Sequence, residues 1–336
     1  MEQTLRAPEE EQRIMRAGTM LITAAVAAML AMPLSGTACT LFGAAGDGYV
    51  KDGGTILVKN RDWTPPQWQE LRLVAGDGYR YYGLFAGDKD KMALKGGVNE
   101  KGLAVFSASA SAIPRKERQE MEGAGRSALK ELLTTSATVE EALKHTDVFK
   151  GPKFLMLADA HQVAYVEVGD GGKFQVRTVD AGTLAHTNHY LTPELAEFNR
   201  RIGVSSRTRY ERIGELLAGT RPLTLDDMLR FSRDSENGPS SSIWRTGSAK
   251  DREETLATFA VRLKEGTDPQ IYVKVRHNPD DRGKEEVVRL TGSELFSGKK
   301  INLLQHSGGN SCYAHGNSFW SGLWERLCAW WHSLWA

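Results

Sequence analysis

The chain has 336 residues, 43 of them Lys or Arg and 42 Asp or Glu, giving a formal net charge of +1. That balance and the lack of any long basic run argue against nucleic acid as a partner, although a local basic pocket for an acidic substrate would not show in a net count. The length left after a leader of 38 residues suits one large domain or two small ones.

Residues 1–38 have the grammar of a secretory signal peptide: Arg13 and Arg16, an apolar run from Ala17 to Leu34, then Ser35-Gly36-Thr37-Ala38 with its small residues. Glu9-Glu10-Glu11 is foreign to such a leader, and a start at Met15 gives a cleaner one. A cut after Ala38 makes Cys39 the first residue, so one residue carries a thiol nucleophile and an α-amine able to act as its base. Free α-amines and thiols titrate at about 7.7 and about 8.5, a good match for proton transfer near neutral pH. Two plainer readings compete. Lipid attachment normally calls for an aliphatic residue three positions before the cysteine, where Gly36 stands. The other is a small buried strand cysteine.

Beyond Cys39 the sequence predicts an antiparallel meander. Its strands are Gly54–Lys59, Glu70–Val74, Tyr79–Phe85 and Gly102–Ala108, then Lys153–Leu157, Gln162–Val168 and Lys173–Val179. Gly169-Asp170-Gly171-Gly172 between the last two is a hairpin signal. Helical spacing is predicted over Ser127–Leu133, after a capping box at Thr138 and Glu141, over Arg207–Leu217, and after Thr224 with Asp227. Strands return at Thr255–Leu263 and Gln270–Arg276. Strands, helices, then strands imply a mixed α+β layer architecture.

The Gly and Asp residues around position 50 fold Cys39–Gly43 against Thr55–Lys59 and set Cys39 opposite Lys59-Asn60-Arg61-Asp62. A thiol, an amine, two cations and a carboxylate then share one small volume. Cations there favour a thiolate, and a carboxylate can orient an α-ammonium.

Cys39-Thr40, Lys59-Asn60-Arg61-Asp62-Trp63, Val98-Asn99-Glu100-Lys101-Gly102-Leu103-Ala104 and Thr187-Asn188-His189 follow one another in an order that resembles a known family. It is the linear-amide branch of the N-terminal nucleophile (Ntn) hydrolases, with choloylglycine (bile-salt) hydrolases, penicillin V acylases, isopenicillin N acyltransferases and related dipeptidases. The likeness runs from Cys39 to about Arg276. It implies a four-layer αββα sandwich with the nucleophile opening a central strand, a catalytic domain over 39–300, and no cofactor. It makes Cys39 nucleophile and base, Asp62 the holder of the amine and Asn188 the oxyanion donor. Lys59 takes the cationic position where many relatives carry arginine. An arginine on the later helix completes the site, Arg207 by preference and Arg209 as the alternative. Bile-salt hydrolases place asparagine ten positions beyond the equivalent of Asn99; here that residue is Ser109, a departure that counts against a true bile-salt hydrolase. A serine hydroxyl or a backbone N–H can still serve an oxyanion.

Trp63, Ser109, His189 and Arg209 are candidate substrate-binding residues. Trp63, Trp68, Tyr79, Tyr81 and Tyr82 form either an apolar acyl wall or core. Asn99 reads as a turn residue. His186 and His189 alone make no metal site.

Residues 301–336 read as a glycine-rich linker and an amphipathic helix bearing Trp320, Trp324, Trp330, Trp331 and Trp335, for docking on the domain or for a membrane interface. Cys312 and Cys328 can pair in an oxidising compartment, which leaves Cys39 the unpaired thiol. The reading is an exported amidohydrolase acting on a small-molecule N-acyl amide through an acyl-thioester. Its alternatives are an acyltransferase using the same site, and a lipid-anchored or inactive envelope binding module.

Overall fold

β1 (Cys39–Ala45) and β2 (Thr55–Trp63) form an antiparallel hairpin in which Cys39 lies opposite Arg61 and Leu41 opposite Lys59. The computed structural model describes residues 38–297 apart from 122, 124–126, 220, 277 and 281–283. The expected leader, Cys312 and Cys328 with their expected pairing, and the expected Trp-rich helix therefore lie outside the described residues. Gly46 makes the turn feasible: its φ is +84°, and a Cβ there would sit 2.2 Å from the Asp180 carbonyl oxygen.

The hairpin sits inside a six-stranded sheet with β10 (Gly182–His186), β11 (Glu254–Leu263), β12 (Gln270–Arg276) and β13 (Glu285–Thr291), in the order β10-β1-β2-β11-β12-β13. A second sheet runs in sequence order: β3 (Trp68–Val74), β4 (Tyr81–Asp88), β5 (Lys91–Asn99), β6 (Ala104–Ser109), β7 (Lys153–Ala158), β8 (Val163–Val168) and β9 (Phe174–Val179). All paired neighbours are antiparallel.

Alternation along the strands builds three apolar layers, because successive side chains leave a strand on opposite faces. Leu41, Leu57, Phe259 and Val273 of the first sheet meet Leu84, Phe106, Phe154 and Met156 of the second in the central layer. On the outer face of the second sheet, Val105, Leu155 and Val166 pack under α2 (Leu129–Thr135) and α3 (Val139–Lys144); α1 (Arg115–Glu120) buries none of its residues. On the outer face of the first, Phe42, Ile56, Val58 and Ala260 pack under α4 (Val204–Gly219) and α5 (Leu225–Phe231). Two short helices follow, α6 (Gly238–Ser241) and α7 (Gly292–Phe296). The result is a helix–sheet–sheet–helix sandwich, the αββα arrangement expected.

Several elements depart from the sequence reading. β5, β10 and β13 were not predicted. β5 carries Gly96 and Gly97, poor strand formers that pack here because Phe106 and the Tyr82 backbone leave no room for a side chain. Tyr82 lies in the central layer that also holds Cys39, edge-on to Phe259, and Tyr81 in the layer under α2, away from Cys39.

Candidate active site

Cys39 opens β1, 7% exposed, and its backbone N–H is not spent on a neighbouring strand. It donates to Asn188 Oδ1 at 2.9 Å, a partner 149 residues away. Arg209 braces the same place from α4. Its Nη1 donates to the Cys39 carbonyl (2.6 Å) and to Thr40 Oγ1 (2.8 Å), its Nη2 to Asn188 Oδ1 (3.0 Å). Two N–H groups converging on one atom fix the carboxamide of Asn188 with its oxygen toward Cys39. Its Nδ2 donates to the Ser109 carbonyl at 2.9 Å. With residues 1–38 in place Asn188 thus holds the amide nitrogen of Cys39, and Ser109 contributes its backbone oxygen.

The loop that carries Asn188 is tied from both sides. Ser206 Oγ on α4 accepts the Asn188 N–H at 3.0 Å and lies 2.8 Å from His189 Nδ1. Glu167 on β8 accepts from Leu191 N and Thr192 N and sits 2.8 Å from His186 Nε2. Burial pushes His189 down to about 4, helped by His186 and Arg209, so its ring is neutral near pH 7. His189 packs edge-on to Tyr210, making it a support of the loop.

Asp62 leaves β2 on the opposite face from Arg61. Its backbone N–H donates to the Ala38 carbonyl at 3.1 Å, beside the 38–39 peptide. Asp62 Oδ1 accepts from Thr255 Oγ1 at 2.9 Å, while Oδ2 is buried without a hydrogen bond, 3.9 Å from Arg245 Nη1. Burial pushes the carboxyl up, against the pull of Arg245 and Arg209. Arg245 is itself committed to Glu253 (2.5 Å) and Asp251. Burial likewise pushes Glu253 up to about 7.

On the inner face stand the cations. Lys59 is buried and reaches across the central layer, donating to the carbonyls of Lys95 (2.5 Å) and Ser107 (2.6 Å). Arg61 donates to Gln69 Oε1 at 3.1 Å and lies 5.8 Å from the Trp63 ring centroid.

Of the residues expected at the site, Cys39, Lys59, Asp62, Asn188, Ser109 and Arg209 come together, with Trp63 at its rim. Arg207 does not: it is exposed, whereas Ser206, Arg209, Ile213 and Leu217 form the buried face of α4. That phase was readable, since Arg209 precedes Ile213 by four and Leu217 by eight positions, on the face of the apolar stripe. The sequence reading missed Arg245, Thr255 and Glu253; nothing local marks them. Asn99 spends its whole carboxamide on backbone, donating to the Leu133 and Ser136 carbonyls and accepting from Lys101 N and Leu103 N. Among the described residues no group of three or more His, Cys, Asp or Glu could hold a metal ion.

Comparison with known proteins places this geometry in context. The profile of the acyl-coenzyme A:6-aminopenicillanic acid acyl-transferase family matches residues 50–273, two thirds of the chain. No curated protein sequence matches it. Among solved structures, a variant of conjugated bile acid hydrolase from Clostridium perfringens is 15% identical with a TM-score of 0.49, over 74% of this chain and 92% of that one. The Caenorhabditis elegans ortholog of N-acylethanolamine-hydrolyzing acid amidase is 14% identical with a TM-score of 0.45, over 74% of this chain and 100% of that one.

Proposed function

Since the chain belongs to the acyl-coenzyme A:6-aminopenicillanic acid acyl-transferase family, we propose that it cleaves a linear N-acyl amide with Cys39 as an N-terminal nucleophile. The observation that carries the reading is the Cys39 nitrogen, given to a buried side chain that Arg209 also holds. An ordinary strand residue has no need of such a clamp; a residue whose nitrogen is to become the base does.

In this reading removal of residues 1–38 frees the α-amine and takes away the Ala38 carbonyl that receives the Asp62 N–H. The new ammonium supplies the hydrogen-bond donor that the buried Asp62 Oδ2 lacks. The neutral amine takes the thiol proton, and the thiolate adds to the amide carbonyl. Asn188 Nδ2, which rests on the Ser109 carbonyl, donates to the resulting oxyanion. Collapse breaks the C–N bond, the α-ammonium returns its proton to the departing amine, and the acyl group remains on sulfur as a thioester. Water then releases the acid and regenerates the thiol.

The family description names an acyl-coenzyme A-dependent transferase, and an amine in place of water turns the same thioester into transfer. The leader supports export to the periplasm or the outside, and the Trp-rich tail supports contact with a membrane surface or with the domain. The test is the intact mass and first residue of the protein secreted from its host, followed by N-acyl amide turnover with and without added amine. A chain starting at Cys39, unmodified and active, is the expected result. A lipid adduct on Cys39, or a start that leaves it internal, refutes the mechanism.

A further inference from the structure

Three cations share the inner face beside Cys39, and among the described residues none of them forms an ion pair. Arg61 stands directly across the ladder from Cys39 and is 2% exposed. Gln69 fixes one arm of its fork: Gln69 Nε2 donates to the Leu256 and Arg276 carbonyls, so its oxygen must face Arg61 Nη1. The other arm, Nη2, is buried and bonded to nothing. Lys59 spends its ammonium on two carbonyls of the second sheet. Lys95, half-buried on β5, has no side-chain hydrogen bond among the described residues. Burial pushes Lys59 and Lys95 down to about 8 and Arg61 to about 10, with an anionic Cys39 sulfur acting against the fall in each.

The charges do not balance within the site. A single negative charge on Cys39 would answer only one of the three cations, and Asp62, on the far face of β2, already has Arg245 and Arg209 beside it. A buried guanidinium N–H without an acceptor bears its desolvation cost unrelieved. What satisfies it best is a planar anion, which accepts from Nη2 and is drawn by a neighbouring ammonium.

We propose that Arg61, with Lys95 beside it, is a carboxylate-binding subsite, so that the substrates are acyl amides carrying a carboxylate near the scissile carbonyl. This rests on the amide-cleaving reading of Cys39. The carboxylate comes either from the amine half or from the acyl half, and matched probes separate the two.

The experiment compares kcat/KM for N-phenylacetylglycine against N-phenylacetylglycinamide, and for glutaryl-p-nitroanilide against its methyl ester, using the protein as purified. The expected result is a preference of ~10- to 100-fold for the charged member of one pair, the size of a charge-assisted hydrogen bond. Arg61→Gln should collapse that ratio to within about threefold, and Lys95→Met should reduce it. Because Lys95 is half-buried, its variant carries the comparison if Arg61→Gln does not fold. Equal turnover within both pairs, or a ratio untouched by both substitutions, overturns the subsite and leaves the amidase reading standing. Calorimetry on Cys39→Ala with the same probes reads the subsite without chemistry. Selective binding of a carboxylate by a protein that turns over no probe supports the subsite and refutes the amidase reading. Neither binding selectivity nor turnover overturns both.

Discussion

Lys59 offers the sharpest physical test, because it stores a stability cost that pH can relieve. Its ammonium is fully buried, and burial lowers its pKa from 10.5 to about 8. The sign follows from proton counting. Between pH 8 and 10.5 the unfolded chain holds a proton that the folded chain has shed, so stability rises with pH across that window. A gap of 2.5 pH units at 1.36 kcal/mol each makes the full cost about 3.4 kcal/mol, present below pH 8 and relieved above it. Evaluated at pH 7 and pH 10, the part recovered is about 2.5 kcal/mol. Lys59→Met removes this titration while leaving the Lys95 and Ser107 carbonyls without their donor. Urea unfolding of both proteins between pH 7 and 10 should show the wild type gaining about 2.5 kcal/mol on the variant. Lys95 and the tyrosines titrate in both proteins and cancel in that difference. Parallel stability curves would mean that Lys59 keeps its proton in the folded protein as firmly as in the unfolded chain, and the electrostatic picture of the site would fall with it.

Other substitutions divide the site by role. Cys39→Ala should abolish amide turnover with the fold intact by circular dichroism, and Cys39→Ser should retain little, because a hydroxyl gives far less reactive anion. Arg209→Gln should lower kcat/KM by ~10²-fold or more, whereas Arg207→Gln on the exposed face of the same helix should change activity less than twofold; equal losses would contradict the placement of Arg209 on Cys39. Thr255→Val, nearly isosteric, leaves Asp62 Oδ1 and the Arg245 N–H unpaired, for an expected loss of about 1–3 kcal/mol in denaturant titration together with reduced activity. Asn99→Ala should cost about 2–4 kcal/mol of stability through four lost backbone contacts, with kcat spared in the protein that remains folded.

What the sequence revealed follows from how local each signal is. Turn glycines and alternation are properties of neighbouring residues, so the β1–β2 hairpin, the opposition of Cys39 to Arg61 and the Thr224–Asp227 capping box were all readable. β5 and β10 were not, because their strand character comes from pairing and not from composition; β10 is held by β1, about 140 residues earlier in the chain. The same reasoning explains the site. Asn188 was found through its resemblance to a motif, but its true partners, Cys39 N and Ser109 O, are set by how the two sheets stack. Arg245 lies between α6 and β11 in a segment without periodicity, so only the fold reveals that it flanks Asp62.

The position of β1 in its sheet has a consequence for biosynthesis. The strand is flanked, directly on one side by β10 and through β2 on the other by β11, so its neighbours lie far along the chain: Cys39 meets Asn188 and Asp62 meets Thr255, separations of 149 and 193 residues. At a synthesis rate of roughly 5–20 residues per second, the segment that seals the hairpin emerges some tens of seconds after Cys39 does. Non-local closure of this kind also makes folding slow once the chain is complete. Throughout that interval the thiol is without the shelter of its sheet, open to oxidants and to foreign disulfides. The rate at which β10 and β11 arrive therefore bears on the yield of intact nucleophile, and slowing translation between residues 188 and 255 should raise the fraction of chains with an oxidised Cys39.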